Sequence, residues 1–217
     1  MKIIENTKQF FGQRAMSQKI KSFKRNVSSC SIASAKSIGI LFNATHQVSF
    51  EIVKELVKNV STKSNTIDVL GYVDSKQLID HYLYRKGFEF FTRNQLNWYY
   101  KPTEDFVEVF INKEFDLLLD LSLDNPFPVQ YVLACSKARF KAGRFSNGQE
   151  FLDLMIDIEK EKAAMKDLQV ELARDKVQKK NGRKSDVEEI VDLKAQTEIQ
   201  LNFLINQLLH YLSLLKK

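Results

Sequence analysis

Polar residues that could hold a small ligand follow the apolar segments of this 217-residue chain. They supply carboxylates, hydroxyls, an imidazole and a guanidinium, which suit a polar small molecule or Mg²⁺. The alternative is that these positions are polar because loops are solvated, with Asp120 and Ser122 capping nearby backbone amides. The candidate ligand-binding residues are Asn43, Thr45, His46, Asp74, Ser75, Asp120, Ser122, Asp124 and Arg144.

No spacing among these residues matches a catalytic motif. The chain contains no G-x-G-x-x-G, no G-x-x-x-x-G-K-[ST] and no G-x-S-x-G. The loop at 43–48 holds no glycine, so a phosphate is not expected to approach its backbone closely. The histidines and cysteines lack metal-ligand spacing. We therefore expect no catalytic residue, no metal and no cofactor, and we favour a protein that is not an enzyme.

Two basic clusters indicate anion binding as a second kind of chemistry. Residues 1–25 hold seven basic side chains and one acidic side chain, a balance equal to the net charge of +6 for the whole chain. Residues 174–184 hold six basic side chains and one acid. Such clusters bind nucleic-acid phosphates or anionic lipid headgroups. The candidate anion-binding residues are Arg14, Lys19, Lys21, Lys24, Arg25, Lys176, Lys179, Lys180, Arg183 and Lys184.

Apolar periodicity predicts alternating strands and helices between these clusters. The segment 115–122, FDLLLDLS, is typical of a strand buried on both faces at the centre of a mainly parallel sheet. The β-α-β order predicts a three-layer, Rossmann-like α/β fold of five or six strands, with the candidate ligand residues at the carboxyl edge. The predicted strands are 36–43, 66–73, 88–91, 115–122, 138–143 and 152–158. The predicted helices are 49–60 with Ser49 as N-cap, 75–84, 103–111 and 128–136.

Helical appendages flank this α/β core. Residues 6–25 fit an amphipathic helix loosely, which we expect to dock through Phe10, Phe11 and Phe23. The C-terminal part predicts a charged helical hairpin that turns at Asn181-Gly182 and packs its last helix on the core. A heptad-like spacing over 187–215 suits a homodimer or a protein partner as well as packing within the chain. The predicted units are 1–35, 36–158 and 159–217.

Composition predicts a cytoplasmic protein. No window approaches 18 uninterrupted apolar residues, and the N-terminus lacks the apolar core of a secretory signal. Cys30 and Cys135 are expected to be free thiols.

The chain resembles a functionally uncharacterised bacterial domain family over about 36–158 and the last helix. This resemblance implies a fold and no activity, and the charged segment near 160–195 looks like an insertion. The matching stretches are KSIGILFNA (36–44), VLGYVDSKQL (69–78), LNWYYKP (96–102), FDLLLDLSLDNPFPVQYVLACSKARFKAGRFS (115–146), LDLMIDI (152–158) and LINQLLHYL (204–212).

A weaker likeness is to the first domain of heptosyltransferase-type glycosyltransferases. It rests on the FDLLLDLS strand, the following helix and a strand that ends in AGR at 142–144. The second Rossmann-like domain of those enzymes has no counterpart in the sequence, because only helices are predicted after residue 158. No catalytic residue carries over.

Three functions agree with these patterns. The first is a non-catalytic protein that binds RNA or a ribonucleoprotein through the two basic clusters. The second is a nucleotide- or sugar-binding enzyme, or a relic of one, that uses the strand-end residues. The third is attachment to an anionic membrane surface through residues 1–25.

Overall fold

The computed structural model of the protein describes residues 2–78, 87–146, 151–159 and 186–215. Within these ranges it contains five α-helices and six strands, with a short 3₁₀ turn at Arg93–Gln95. In chain order the elements are α1 (Lys2–Lys21), β1 (Ser37–Asn43), α2 (Gln47–Val60), β2 (Thr66–Val73), β3 (Phe88–Thr92), α3 (Asp105–Asn112), β4 (Leu117–Asp120), α4 (Phe127–Cys135), β5 (Lys141–Arg144), β6 (Leu154–Ile156) and α5 (Asp186–Leu214).

The six strands form one parallel sheet in the order β3-β2-β1-β4-β5-β6. The strand order reverses between β1 and β4, as in doubly wound Rossmann folds. All four residues of β4 are buried, and β4 pairs with β1 on one side and β5 on the other. The prediction that the 115–122 segment supplies a central strand is therefore confirmed.

A hydrophobic core covers each face of the sheet. One core packs the strands against α2 and the C-terminal half of α5, through residues such as Phe50 and Leu204. The other packs them against α3 and α4, through residues such as Phe110. Successive strand residues point to opposite faces, so Ile40 joins the first core and Leu41 the second. The sheet between two helical layers confirms the three-layer α/β class.

The C-terminal half of α5 packs within the chain. The heptad-like spacing therefore serves intrachain packing over this half of the helix. The homodimer or partner contact over 187–215 stays a prediction, since nothing here tests it. The buried residues of α5 are Leu201, Leu204, Ile205, Leu208 and Leu212.

Helix α1 packs on the outer side of α4. The face of α1 that contacts α4 is not the one that carries its exposed aromatic residues. Met16 is buried in the second core, whereas Phe10 and Phe11 are exposed. A Cβ atom at Gly12 would lie only 2.7 Å from Cζ of Phe127, so the glycine allows the helix backbone to approach that ring. The glycine face therefore packs against α4. The prediction that Phe10 docks the helix is wrong, since its ring is exposed, whereas Phe11 does dock, on the Trp98 ring with centroids 5.2 Å apart.

The predicted starts of α2 and β5 differ from the structure by two and three residues. Helix α2 begins at Gln47 with His46 at the N-cap position, and Ser49 is buried in its first turn rather than capping it. Strand β5 begins at Lys141, three residues after the predicted start. The Lys141 ammonium is buried and donates to the carbonyl oxygens of Leu133 at 2.6 Å and Ala134 at 3.2 Å. These carbonyls end α4, where a cation is favoured, although burial lowers the pKa of Lys141 to about 7.

Two predictions fall on parts of the chain outside the described residues. The predicted helix at 75–84 begins with bends at residues 75–77, and its residues from 79 onward are not among those described. The first arm and the turn of the predicted hairpin also lie outside the described residues, whereas its second arm is α5.

Candidate functional site

A chain of hydrogen bonds links the carboxyl ends of β4, β1 and β2. The side-chain amide of Asn43 donates to both carboxylate oxygens of Asp124, at 3.0 and 2.9 Å. The Asn43 carbonyl oxygen accepts from the backbone amide of Thr45 at 3.0 Å and from its hydroxyl at 2.6 Å. The same hydroxyl oxygen accepts from the backbone amide of Asp74 at 2.9 Å. The edge of the sheet thus brings together four of the predicted ligand residues.

The chain of hydrogen bonds continues from Asp74 to β2 and β3. Arg93 forms a bidentate ion pair with the Asp74 carboxylate, with Nη2 2.7 Å from Oδ2, and the Tyr72 hydroxyl donates to Oδ1 at 2.8 Å. The Arg93 hydrogen bonds lower the pKa of Asp74, while burial and Asp74 raise the pKa of Tyr72. The sequence analysis missed Arg93 because it lies in a short 3₁₀ turn and belongs to no motif.

Two further predicted ligand residues lie beside this chain without joining it. The Ser75 hydroxyl donates to the carbonyl oxygen of Gln77. His46 is exposed at the start of α2, and its side chain does not cap the helix. The polar groups at the ends of β1, β2 and β3 therefore satisfy one another.

Asp120 and Ser122 are buried at the end of β4. The Asp120 carboxylate accepts a hydrogen bond from the backbone amide of Ser122 at 3.1 Å, which is the capping role predicted for Asp120. The Ser122 hydroxyl is buried and caps no backbone amide among the described residues, so that part of the prediction is wrong. Burial raises the pKa of Asp120 to about 6, although Ser122 and the positive charge of Arg144 oppose the rise. Such a carboxyl can exchange a proton near neutral pH, but its burial keeps a substrate from reaching it directly.

One cavity among the described residues lies away from the predicted site. It is an open groove of about 710 Å³ between α2 and α5. Apolar residues such as Ile52 and Ile205 form its floor, and charged residues such as Glu51, Glu198 and Lys194 line its rim. Within the described ranges, no three His, Cys, Asp or Glu side chains are grouped closely enough to hold a metal ion.

A second candidate site lies on the exposed side of α1. Phe10 and Trp98 are 62% and 56% exposed, whereas large aromatic side chains are usually mostly buried. The Phe11 ring centroid lies 5.7 Å from that of Phe10 and 5.2 Å from that of Trp98. Arg14 and Lys21 follow Phe10 by four and eleven positions, which places them on the same exposed side of the helix. We call these five residues the α1–Trp98 surface.

The loop that carries Trp98 is held by its own hydrogen bonds. Asn97 Oδ1 accepts from the backbone amides of Tyr99 at 3.1 Å and Lys101 at 3.0 Å. The Asn97 backbone amide donates to the Lys101 carbonyl at 2.9 Å. Tyr100 has a φ of 67°, in the left-handed region that residues other than glycine seldom adopt. The loop therefore presents Trp98 in one defined conformation.

Tyr100 also ties this loop to α1. Its hydroxyl donates to Glu5 at 3.0 Å, and the Lys8 ammonium lies 5.1 Å from the centre of its ring. Together with the contact between Phe11 and Trp98, these interactions fix the helix relative to the loop. The aromatic and basic members of the α1–Trp98 surface thus belong to one connected structure.

The structure divides the predicted anion-binding residues into three groups. Lys19 is ion-paired with Glu108, and Arg25 is ion-paired with Asp153. The exposed residues are Arg14, Lys21 and Lys24. Those outside the described part of the chain are Lys176, Lys179, Lys180, Arg183 and Lys184.

Sequence analysis missed the aromatic part of the α1–Trp98 surface. Phe10 and Phe11 were expected to dock the helix on the domain, since large apolar residues on a helix usually face a core. A signal was available in Gly12 and Met16, which are four residues apart and define a different inward face. That face leaves both phenylalanines outside.

Residues 8–174 match the sequence profile of a family of unknown function, DUF6913. The chain belongs to this family. The DUF6913 match begins within α1 and includes all six strands, which confirms the resemblance to an uncharacterised domain family. Neither the curated proteins nor the solved structures contain a match to the chain. The likeness to heptosyltransferase-type glycosyltransferases is therefore not supported.

Proposed function

We propose that this DUF6913 protein is a non-catalytic cytoplasmic protein that binds single-stranded RNA, alone or in a ribonucleoprotein, through the α1–Trp98 surface. The observation that carries the proposal is the joint exposure of aromatic rings and cations on one fixed surface. The basic segment at 174–184 is proposed as a second contact.

The aromatic residues supply the first part of the argument. Proteins that bind single strands stack bases on exposed aromatic rings, and each stacked base contributes about 1–3 kcal/mol. Phe10 and Trp98 offer such rings, and Phe11 lies in contact with both of them. Every base has a π-face, so these rings suit binding with little sequence preference.

The cations supply the second part of the argument. Arg14 and Lys21 are exposed beside Phe10, and Lys24 is exposed just beyond the end of the helix. Among the described residues, no carboxylate is ion-paired with any of the three. Free cations next to exposed rings can contact the phosphates of a strand whose bases stack on those rings.

The fixed loop supplies the third part of the argument. A surface that is rigid before binding loses less conformational entropy when it captures a ligand. Asn97 and the left-handed Tyr100 hold the loop around Trp98, and strained non-glycine residues cluster at binding sites. This arrangement favours a binding role for Trp98.

The distribution of apolar residues favours RNA over a membrane surface. At about 100° per residue, Ile4 and Phe11 lie on one flank of α1 and Ile20 on the other, with Arg14 and Lys21 between them. An interfacial helix needs one continuous apolar face. Among the described helices, none has the length and apolar character that a membrane span requires.

The proposal is tested by fluorescence anisotropy with a labelled single-stranded RNA of about 12 nucleotides. Trp98→Ala should weaken binding about tenfold, since the loss of one stacked base is worth about 1–3 kcal/mol. The double variant Arg14→Gln/Lys21→Gln should lower the slope of log K against log[salt] by about 1.4, because each phosphate contact contributes about 0.7 for a single strand.

The matched control is Lys36→Gln/Lys63→Gln, which removes the same charge from two exposed lysines before β1 and β2. It should leave the slope nearly unchanged. Equal losses in the two double variants would show that only net charge matters and would sink the proposal. Flotation of the protein with vesicles containing anionic lipid, without RNA binding, would support the membrane alternative and contradict the proposal.

A further inference from the structure

Arg144 is a buried cation with few partners. It ends β5 at the carboxyl edge of the sheet, and its side chain is only 10% exposed. Its one ion pair among the described residues is with Glu159, whose Oε1 lies 3.6 Å from Nη1. Its Nε–H is buried and has no acceptor within the described part of the chain. Of the five N–H donors of this guanidinium, Nε–H is thus the one shown to lack an acceptor among the described residues.

Arg25 is a covered guanidinium with close acceptors among the described residues, although its Nε–H, like that of Arg144, is buried without an acceptor there. Its side chain is 14% exposed. It donates to both carboxylate oxygens of Asp153 at 2.6 Å and to the carbonyl oxygen of Phe151 at 3.1 Å. A buried charge is costly unless it is paired and hydrogen-bonded. Among the described residues Arg144 has no contact of that kind, which leaves its guanidinium available to an anion bound at this edge.

The position of Arg144 in the sheet favours a bound small molecule. Open parallel sheets bind ligands outside the carboxyl ends of their strands. Asp120 is the register partner of Gly143, so Asp120 and Arg144 point to opposite faces of the sheet at the same edge. The Glu159 side chain is 60% exposed, so an incoming anion can replace it at small cost.

The chemistry of the guanidinium defines the class of ligand. A planar fork of N–H donors matches the oxygens of a phosphate in a bidentate contact. A doubly charged phosphate also neutralises a buried cation more fully than a neutral polar group. We propose that Arg144 binds the phosphate group of a phosphomonoester, such as a nucleoside monophosphate or a sugar phosphate, at the carboxyl edge of β5.

The site is independent of the proposed RNA surface. Arg144 lies in the sheet, whereas the α1–Trp98 surface lies on a helix packed outside α4. An internal phosphodiester of RNA carries one charge, and a phosphomonoester carries up to two. The two proposals can therefore fail separately.

Isothermal titration calorimetry and thermal denaturation with AMP, ribose 5-phosphate, inorganic phosphate and adenosine test this site. Sodium chloride keeps the ionic strength equal in all samples. The phosphorylated compounds should bind and raise the melting temperature, because a ligand of the native state stabilises it. Adenosine should not. AMP alone binding would indicate a nucleotide site, and all three phosphates binding would indicate recognition of the phosphate group itself.

Variants separate recognition by Arg144 from general effects. Arg144→Lys keeps the charge but loses the bidentate fork, so the affinity should fall at least tenfold. Glu159→Gln removes the carboxylate that competes for Arg144, so this variant should bind the phosphorylated compounds at least as tightly as the wild type. This expectation does not depend on whether Arg144→Lys folds well. Arg139→Met, which changes an exposed arginine, is the control and should bind like the wild type. No binding of any phosphorylated compound to the wild type, or equal binding to Arg144→Lys, would overturn the proposal.

Discussion

Phe11 and Trp98 pack edge to face, with ring centroids 5.2 Å apart and an interplanar angle of 60°. This contact joins the first helix to a loop that follows β3, although the two residues are far apart in sequence. It explains why two large aromatic side chains stay in place at the surface. The same contact makes the α1–Trp98 surface one unit rather than a set of separate residues.

Phe11 and Trp98 should show thermodynamic coupling. Aromatic pairs in this geometry contribute about 0.5–1.5 kcal/mol beyond their buried area. We expect a double-mutant cycle of Phe11→Ala and Trp98→Ala to give a coupling free energy of about 1 kcal/mol, from denaturant unfolding of all four proteins. Additive effects of the two substitutions would show that helix and loop are held together by other contacts.

Gly12→Ala should destabilise the protein even though alanine favours helices. The added Cβ would lie 2.7 Å from Cζ of Phe127 and 2.9 Å from the carbonyl oxygen of Tyr99, and the backbone oxygen cannot move aside easily. Such overpacking typically costs about 1–3 kcal/mol, against a gain of about 1 kcal/mol in helix propensity. Urea unfolding measures the difference.

The control for this prediction is Ser17→Ala, which changes an exposed position on the same helix. It should change the free energy of unfolding by less than about 0.5 kcal/mol. If Gly12→Ala instead stabilised the protein by the full gain in helix propensity, α1 would not approach α4 as closely as described.

Asn97→Ala should loosen the loop that presents Trp98. The substitution removes the acceptor of the Tyr99 and Lys101 backbone amides, a loss of about 1–3 kcal/mol. Asn94→Ala is a matched control, since Asn94 makes one exposed hydrogen bond to the Lys76 carbonyl. Hydrogen exchange of the loop amides should accelerate only in the Asn97 variant. Similar exchange in both variants would argue against a role for Asn97 in fixing the loop.

Asp120 should make stability fall as pH rises from about 4 to about 6. Its folded pKa is raised to about 6 from an ordinary value of 3.8, so in this range the native state holds a proton that the unfolded state has lost. The contribution is largest below pH 4 and is lost as the pH passes the folded pKa. This rise in the pKa of Asp120 lowers the free energy of unfolding at neutral pH by on the order of 3 kcal/mol.

Asp120→Asn should therefore be more stable than the wild type at pH 7.0, and the difference should disappear near pH 4. The amide oxygen of asparagine can still accept the hydrogen bond from the Ser122 backbone amide. Thermal unfolding of both proteins between these pH values gives the comparison. An equal pH dependence in the two proteins would show that Asp120 titrates normally.

Regular alternation of apolar segments makes most of this fold predictable. The bounds of β2 agree with the prediction, and 115–122 identifies the central strand, because both are long apolar runs. The start of β5 was less predictable, since Lys141 is a charged residue buried at the end of α4. The local sequence does not predict that two carbonyl groups accept hydrogen bonds from the Lys141 ammonium.

The topology of the sheet predicts that the polar residues at its carboxyl edge lie close together, but it does not predict the role of each residue. The strand order brings Asn43, Thr45 and Asp74 together as predicted, yet their hydrogen bonds with each other depend on side-chain geometry. The exposure of Phe10 was not predicted, because a hydrophobicity pattern does not say which of two faces of a helix has a partner. Only the fit of Gly12 against Phe127 decides that.

The most direct test of the proposed function is ultraviolet cross-linking of the wild-type protein to a labelled single-stranded RNA, followed by mass spectrometry of the cross-linked peptides. Stacked aromatic residues are the groups expected to react. We expect cross-links to peptides that contain Phe10, Phe11 or Trp98, and their loss when unlabelled RNA competes. Cross-links confined to peptides elsewhere in the chain, or no competed cross-link at all, would contradict it.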